Sequence, residues 1–171
     1  MEILYLLILT DYFMDFLHQS IRKTMSHTLD IQHYVFSTYC RRRTIPMNQR
    51  EPLYRFIWKQ LQARGCHLYR INGMSEHVHM VVDLHPSVSK SDLMKEIKAV
   101  TSGWMKQSGL YPDFERWGSG YFSESKDPST LDRVVAYVKG QVDHHRVHTF
   151  EEELQMLSHS AGLKLDDRDL K

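Results

Sequence analysis

Cysteine is scarce in this sequence, since only Cys40 and Cys66 carry a thiol among 171 residues. Two cysteines exclude a disulfide-rich secreted scaffold, and the lack of a C-x-x-C pair excludes the usual cysteine-based metal motifs. We therefore expect both side chains to be reduced thiols in a cytoplasmic protein.

An excess of charge is also missing, because 22 Lys and Arg residues offset 21 Asp and Glu residues to a formal net charge of +1. This excludes a generally basic protein, so any contact with nucleic acid must come from a local patch. The clearest patch is Arg41-Arg42-Arg43, which follows a stretch rich in β-forming residues and precedes Pro46. Guanidinium groups there can bind phosphates, although three arginines can also simply solubilise the end of a strand.

No hydrophobic run is long enough to predict a membrane span. The apolar stretch from Met1 to Leu9 is followed by Asp11 and Asp15, and it falls short of the roughly 20 residues that cross a bilayer. It also lacks the basic start and the cleavage site of a signal peptide. We treat residues 1–24 as an N-terminal extension, or alternatively as a short amphipathic helix, and residues 25–171 as one domain without a membrane partner.

The hydrophobic pattern predicts an α+β fold. Strands are expected at about 30–39, 66–72, 76–84 and 118–124, and helices at about 51–64, 90–107, 131–145 and 150–162. The β-α-β-β-α-β order, with a C-terminal helix appended, is typical of a ferredoxin-like antiparallel sheet. Helices would cover one face of that sheet and leave the other free for nucleic acid or a protein partner.

A strand with two histidines is the first candidate for chemistry. Residues Glu76 to Leu84 (EHVHMVVDL) alternate with period two, so His77 and His79 share one side while apolar residues share the other. The rise of a strand separates the two imidazoles by about 7 Å, which lets both bind one cation. An isolated H-x-H pair is more often an ordinary half-buried pair, so a second element is needed to support a metal site.

The second candidate is a tyrosine and a glutamine four residues apart. Valines at helical spacing in DRVVAYVKGQV predict a helix that carries Tyr137 and Gln141 on the same side. Taken alone, such a pair more often packs or faces solvent. His144, His145 and His148 follow; one of them could act as a base, although a solvated helix end is the simpler interpretation.

Together these segments resemble the single-tyrosine HUH transposases of the IS200/IS605 type and their relatives associated with repetitive extragenic palindromes. The resemblance extends from about Met25 to the C-terminus. His77 and His79 fill the two histidine positions, and Tyr137 and Gln141 fill the Y-x-x-x-Q positions. The segments that carry it are HYVFSTYCRRRTIP, GMSEHVHMVVDL, VSKSDLMKEIKAVTSGWM, RWGSGYFSES and YVKGQVDHHRVHTFEEEL.

The resemblance implies a metal-dependent enzyme that cuts and rejoins single-stranded DNA. Tyr137 would attack a phosphodiester and keep the 5′-phosphate as a phosphotyrosine, while His77, His79 and Gln141 hold Mg²⁺ or Mn²⁺. Imidazoles would also suit Zn²⁺, Ni²⁺ or Cu²⁺, so the residues alone do not identify the ion. The implied partners are hairpin ends of a mobile element, and a second subunit whose tyrosine helix completes the site.

Two other functions are compatible with the same residues. The first is a domesticated protein that binds hairpin DNA without cleaving it, but binding alone gives no chemical reason to keep the two histidines, the tyrosine and the glutamine. The second is an unrelated metallohydrolase with His85 as an additional ligand, whose activity would survive the loss of Tyr137.

Overall fold

The structure is a computed structural model that describes residues 27–164, so the predicted extension at residues 1–24 lies outside the described part. The strands are β1 (Ile31–Ser37), β2 (His67–Gly73), β3 (His77–Asp83) and β4 (Phe122–Ser125). The helices are α1 (Arg50–Gln62), α2 (Lys90–Ser108), α3 (Leu131–Lys139), α4 (Gln141–His144) and α5 (Phe150–Ser160). Short 3₁₀ turns lie at Tyr39–Arg41, Met47–Gln49 and Pro128–Thr130.

The four strands form one sheet in the order β2-β3-β1-β4, with every neighbouring pair antiparallel. With α1 and α2 as the crossovers, this is the predicted ferredoxin-like arrangement. The two central strands pair so that Val35 lies opposite His79 and Ser37 opposite His77. Every residue of β3 is buried, which means that both faces of the sheet are covered.

The first face of the sheet packs against α1 and α2. Val78, Met80 and Val82 of β3 belong to this core together with Leu53 and Ile57 of α1 and Leu93 and Ile97 of α2. Helix α2 is capped at its start by Ser89, whose side chain accepts a hydrogen bond from the Asp92 amide, and at its end by Gly109 in the left-handed conformation. The alternation of β3 therefore places its apolar side as the sequence predicts.

The second face is covered by α3, α4 and α5. The expectation that this face is free was therefore wrong. Val134 and Val138 of α3 pack on Ile31 and Val81. Phe150 and Leu154 of α5 pack on Val35 and Phe122. Packing against this face of the sheet buries the apolar sides of α3 and α5.

The predicted helix 131–145 is interrupted at Gly140, where α3 ends and α4 begins. Glycine is a poor helix former because of its backbone freedom.

None of the helices in residues 27–164 combines the length and the apolar composition of a membrane span.

Candidate active site

Strand β3 carries His77 and His79 on the second face, beneath the C-terminal helices, where both side chains are fully buried. Each ring is oriented through its Nδ1 atom. His77 Nδ1 lies 3.2 Å from Glu76 Oε1, and His79 Nδ1 lies 3.1 Å from Nε2 of His33 on β1. An imidazole whose Nδ1 atom donates to such an acceptor can bind a metal ion through Nε2 once that atom gives up its proton.

Both Nε2 atoms point towards the carboxylate of Glu153 on α5. Glu153 Oε2 lies 3.2 Å from His79 Nε2 and 3.6 Å from His77 Nε2. His145 completes the group, because its Nε2 atom lies 3.1 Å from Glu153 Oε2 and 3.1 Å from His77 Nε2. Its Nδ1 atom donates to the backbone carbonyl of His148 over 2.9 Å. All three rings thus present Nε2 to one point.

We call His77, His79, His145 and Glu153 the His–Glu cluster. One potential ligand atom from each residue lies within 4.8 Å of the others. Three imidazole nitrogens and one carboxylate oxygen are a donor set that binds divalent transition-metal ions. The site can therefore hold such an ion without any new residue.

Tyr137 and Gln141 approach the same carboxylate from α3 and α4. The Tyr137 hydroxyl donates a hydrogen bond to Glu153 Oε1, and Gln141 Nε2 donates to the same oxygen over 2.8 Å. The other amide atom of Gln141, Oε1, is buried and has no hydrogen-bond partner within residues 27–164. The structure thus brings all four predicted residues, His77, His79, Tyr137 and Gln141, around Glu153.

Burial and charge set the protonation states of the cluster. Burial lowers the pKa of His79 to about 4, despite the nearby carboxylate of Glu153. Burial alone would raise the pKa of Glu153, but hydrogen bonds from His145 and His79 hold it well below its usual range. Burial and the Glu153 charge together raise the pKa of Tyr137. The closed cluster therefore contains a charged carboxylate, a neutral His79 and a neutral phenol.

Helix α5 closes this site. Thr149 and Glu152 form a capping box that fixes its start. The ring of Phe150, the first residue of the helix, stacks on His77 with 4.2 Å between ring centroids. Glu153, one turn further on, is fully buried. Helix α5 thus covers His77 and Glu153 in this arrangement.

The three predicted DNA-binding arginines lie in the turn that follows β1. The guanidinium of Arg41 lies 5.3 Å from the centroid of the Phe150 ring, beside the cluster. Arg42 pairs with Glu115 over 3.1 Å, and Arg43 lies 3.6 Å from Glu76, the residue that orients His77. The turn is held in an unusual backbone, since Cys40 and Arg41 have φ angles of 51° and 52°. Arg41 and Arg43 thus border the site on one side.

Sequence reasoning missed Glu153 and His33, and it favoured a solvated helix end for His145. Glu153 had a detectable signal, because it shares the buried side of α5 with Phe150, Leu154 and Leu157, at spacings of three, four and seven from Phe150. A carboxylate within an apolar stripe is rarely buried without a partner. His85, the extra ligand of the hydrolase alternative, contacts Ser87 instead and is not part of the cluster.

Comparisons with known proteins agree on one family. The family model described as "Transposase IS200 like" matches residues 26–141. The sequence is 22% identical over 120 residues to the transposase for insertion sequence element IS200 of Salmonella typhimurium, which covers 67% of this chain and 78% of that protein. The IS200 transposase of Salmonella typhi matches equally. His145 and Glu153 lie beyond the segment that the family model matches.

Two solved structures share the fold. A protein from Deinococcus radiodurans R1 described as a transposase has a TM-score of 0.56 at 16% identity, covering 70% of this chain and 96% of that chain. A REP-associated tyrosine transposase bound to a REP hairpin has a TM-score of 0.53 at 16% identity, covering 72% of this chain and 74% of that chain.

Proposed function

Since the chain belongs to the IS200-like transposase family, we propose that it cleaves and rejoins single-stranded DNA through a 5′-phosphotyrosine on Tyr137. One observation carries this proposal: the Tyr137 hydroxyl contacts the same carboxylate that three imidazoles surround. A nucleophile beside a group of metal-binding side chains is what transesterification of a phosphodiester requires.

A divalent metal ion fits the residues that are present. His77, His79, His145 and Glu153 would hold it, since each imidazole already has its Nδ1 atom engaged and its Nε2 atom directed inward. Gln141 is an additional candidate because its amide oxygen lacks a partner. Nitrogen donors favour Mn²⁺ or another transition metal over Mg²⁺, which prefers oxygen. When bound, the ion would neutralise charge on the phosphate and polarise it towards attack.

The reaction exchanges one phosphoester for another. The hydroxyl oxygen of Tyr137 forms a bond to phosphorus while the bond from phosphorus to the 3′-oxygen breaks, so the 5′-phosphate stays on the protein. The nearest acceptor for the phenolic proton is Glu153 Oε1, which already accepts the hydroxyl hydrogen bond. The departing 3′-oxygen takes a proton from solvent. Attack by a 3′-hydroxyl on the phosphotyrosine reverses these steps and rejoins DNA.

DNA entry requires a shift of α5. The Phe150 ring stacks on His77 and covers the cluster. We infer that the substrate moves the start of α5 and its Phe150 ring outward, while Glu153, one turn further along the helix, stays among the imidazoles as ligand and proton acceptor. The neutral phenol of the closed site is then a resting state.

The tyrosine of this chain reaches the histidines of the same chain, which supports a site that one subunit can complete. We keep homodimerisation as a prediction of the family resemblance; exchange of α3 between subunits would rebuild the same contacts in trans. The predicted DNA is a single strand with hairpin ends, and Arg41, Arg42 and Arg43 remain candidate DNA contacts at the rim of the site. Because such DNA lies in the cytoplasm of a prokaryote, we propose that location for the protein.

The proposal is tested with 5′- and 3′-end-labelled single strands from the DNA that flanks its own gene, incubated with Mn²⁺ or Mg²⁺ and resolved on a denaturing gel. We expect a denaturation-resistant adduct that Tyr137→Phe and a chelator abolish. Tyr69→Phe is the matched control, because Tyr69 packs in the same apolar cluster. Cleavage that survives Tyr137→Phe would instead indicate a hydrolase, and binding without cleavage would favour the domesticated DNA-binding protein.

A further inference from the structure

We propose that a groove between α2 and residues 116–121 binds nucleotides of the substrate DNA outside the cleavage site. This inference rests on the proposed function, because the DNA is the strand that Tyr137 cleaves. The groove has a volume of about 380 Å³, within the range of small-ligand sites. Its α2 side is one helix face, marked by Ser91, Lys95, Lys98 and Ser102 at spacings of three and four residues.

The charge of the groove fits a phosphodiester. Lys95, Lys98 and Arg116 line it, and no Asp or Glu is among its lining residues in the described part of the chain. Arg116 also pairs with Glu115 outside the lining, with 3.7 Å between Nε and Oε1. Lys98 donates to the carbonyls of Ser119 and Gly120 over 3.2 and 2.8 Å, so it also fixes the opposite wall. Lys95 is exposed and forms no ion pair within residues 27–164. Positive charge in a concave surface attracts the backbone of nucleic acid.

Aromatic rings accompany these charges. Tyr121 lines the groove with 38% of its surface exposed. Trp117 forms the buried floor. Tyr39 extends the series, since its ring lies 3.6 Å below the guanidinium of Arg116 and 5.7 Å from that of Arg42. Proteins that bind single strands combine cationic side chains, which contact phosphates, with aromatic side chains, which stack on bases.

The turn after β1 connects the groove to the cluster. On one side, Tyr39 contacts Arg116 at the end of the groove. On the other, Arg41 lies over Phe150, which stacks on His77. The last residue of β1 is joined to residues 116–121 by a hydrogen bond of 2.8 Å from the Gly118 amide to the Ser37 carbonyl. A strand whose scissile phosphate lies at Tyr137 can therefore continue past Arg41 and Tyr39 into the groove.

Lys98 fixes the opposite wall of the groove, so the test uses Lys95, Arg116 and Tyr121 instead. Binding of a fluorescently labelled single strand from the flanking DNA is measured in Tyr137→Phe protein, which cannot cleave it. We expect Lys95→Ala and Arg116→Ala each to weaken binding about tenfold at low salt and to reduce the slope of log K against log salt by about 0.7. Tyr121→Ala should weaken binding about tenfold with the slope unchanged.

Lys106→Ala is the matched control, since Lys106 is exposed on the same helix but does not line the groove. A second measurement needs no variant at the groove: DNA should protect Lys95 from acetylation, read by mass spectrometry, while Lys106 stays reactive. Equal affinity in all three variants, or equal acetylation of the two lysines with and without DNA, overturns the proposal.

Failure of the groove and failure of the proposed chemistry give different results. If wild-type protein forms the tyrosine adduct but the groove variants bind like their parent, the groove inference is wrong and the chemistry stands. If no adduct forms with any strand but the groove variants lose binding, the groove stands and the protein is a non-cleaving DNA-binding protein.

Discussion

Replacing Glu153 by glutamine is the most informative single change in the His–Glu cluster. Glutamine has the shape of glutamate and keeps an oxygen that can accept the hydrogen bond from Tyr137. It removes the only negative charge among the four potential ligands, and an amide is a much weaker ligand than a carboxylate. The substitution therefore separates metal binding from packing of α5.

The expected loss follows from the position of Glu153. Changes to residues that merely orient a ligand lower metal affinity about 10- to 100-fold. Glu153 has an oxygen within 3.2 Å of two imidazole nitrogens that face the site. The Glu153→Gln substitution should therefore lower the affinity for Mn²⁺ at least about 100-fold, or about 2.7 kcal/mol.

The assay is calorimetric titration of Mn²⁺ into metal-free protein at neutral pH. Glu151→Gln is the matched control, because Glu151 is exposed on the same helix and its replacement removes the same charge. An affinity of Glu153→Gln within about threefold of wild type would refute the assignment of Glu153 as a ligand.

Four further predictions concern the same site. Gln141→Leu should lower Mn²⁺ affinity and leave DNA binding intact; an unchanged affinity by calorimetry removes Gln141 from the ligand set. Glu76→Gln should lower Mn²⁺ affinity about 10- to 100-fold through the orientation of His77, and affinity equal to wild type would contradict this. Metal-free protein should lose on the order of 3 kcal/mol of unfolding free energy, measured in urea, as pH falls from 6.5 to 4. His79 has a pKa of about 4 in the folded state and 6.5 in the unfolded state, so the unfolded state binds the proton first and is stabilised. A free energy of unfolding that does not change over this pH range would contradict this prediction. Binding of single-stranded DNA to Tyr137→Phe should speed amide exchange in α5, whereas slower exchange would show that α5 does not move outward.

The sequence contains enough information for the fold and half of the candidate site. Period-two alternation in β3 identifies both the core side and the side that carries His77 and His79, because strand geometry leaves no third choice. The i, i+4 spacing likewise places Tyr137 and Gln141 together, and this proximity survives the break at Gly140.

The other half depends on how the chain returns to the sheet after α4. His145 and Glu153 come together because the residues between α4 and α5 turn the chain back over β3, and no local pattern specifies that path. The apolar residues Phe150 and Leu154 show that α5 buries one side, but not which face of the sheet receives it. The expectation of an open second face failed for this reason.

The central claim is that Tyr137 becomes covalently joined to the 5′-phosphate of cleaved DNA. It is tested most directly by digesting the protein after reaction with single-stranded flanking DNA and Mn²⁺, and locating the nucleotide by mass spectrometry. We predict a nucleotide 5′-phosphate on the peptide that contains Tyr137 and on no other, absent when a chelator is added. Cleaved DNA with an unmodified Tyr137 peptide, or a nucleotide on a different side chain, would contradict the account.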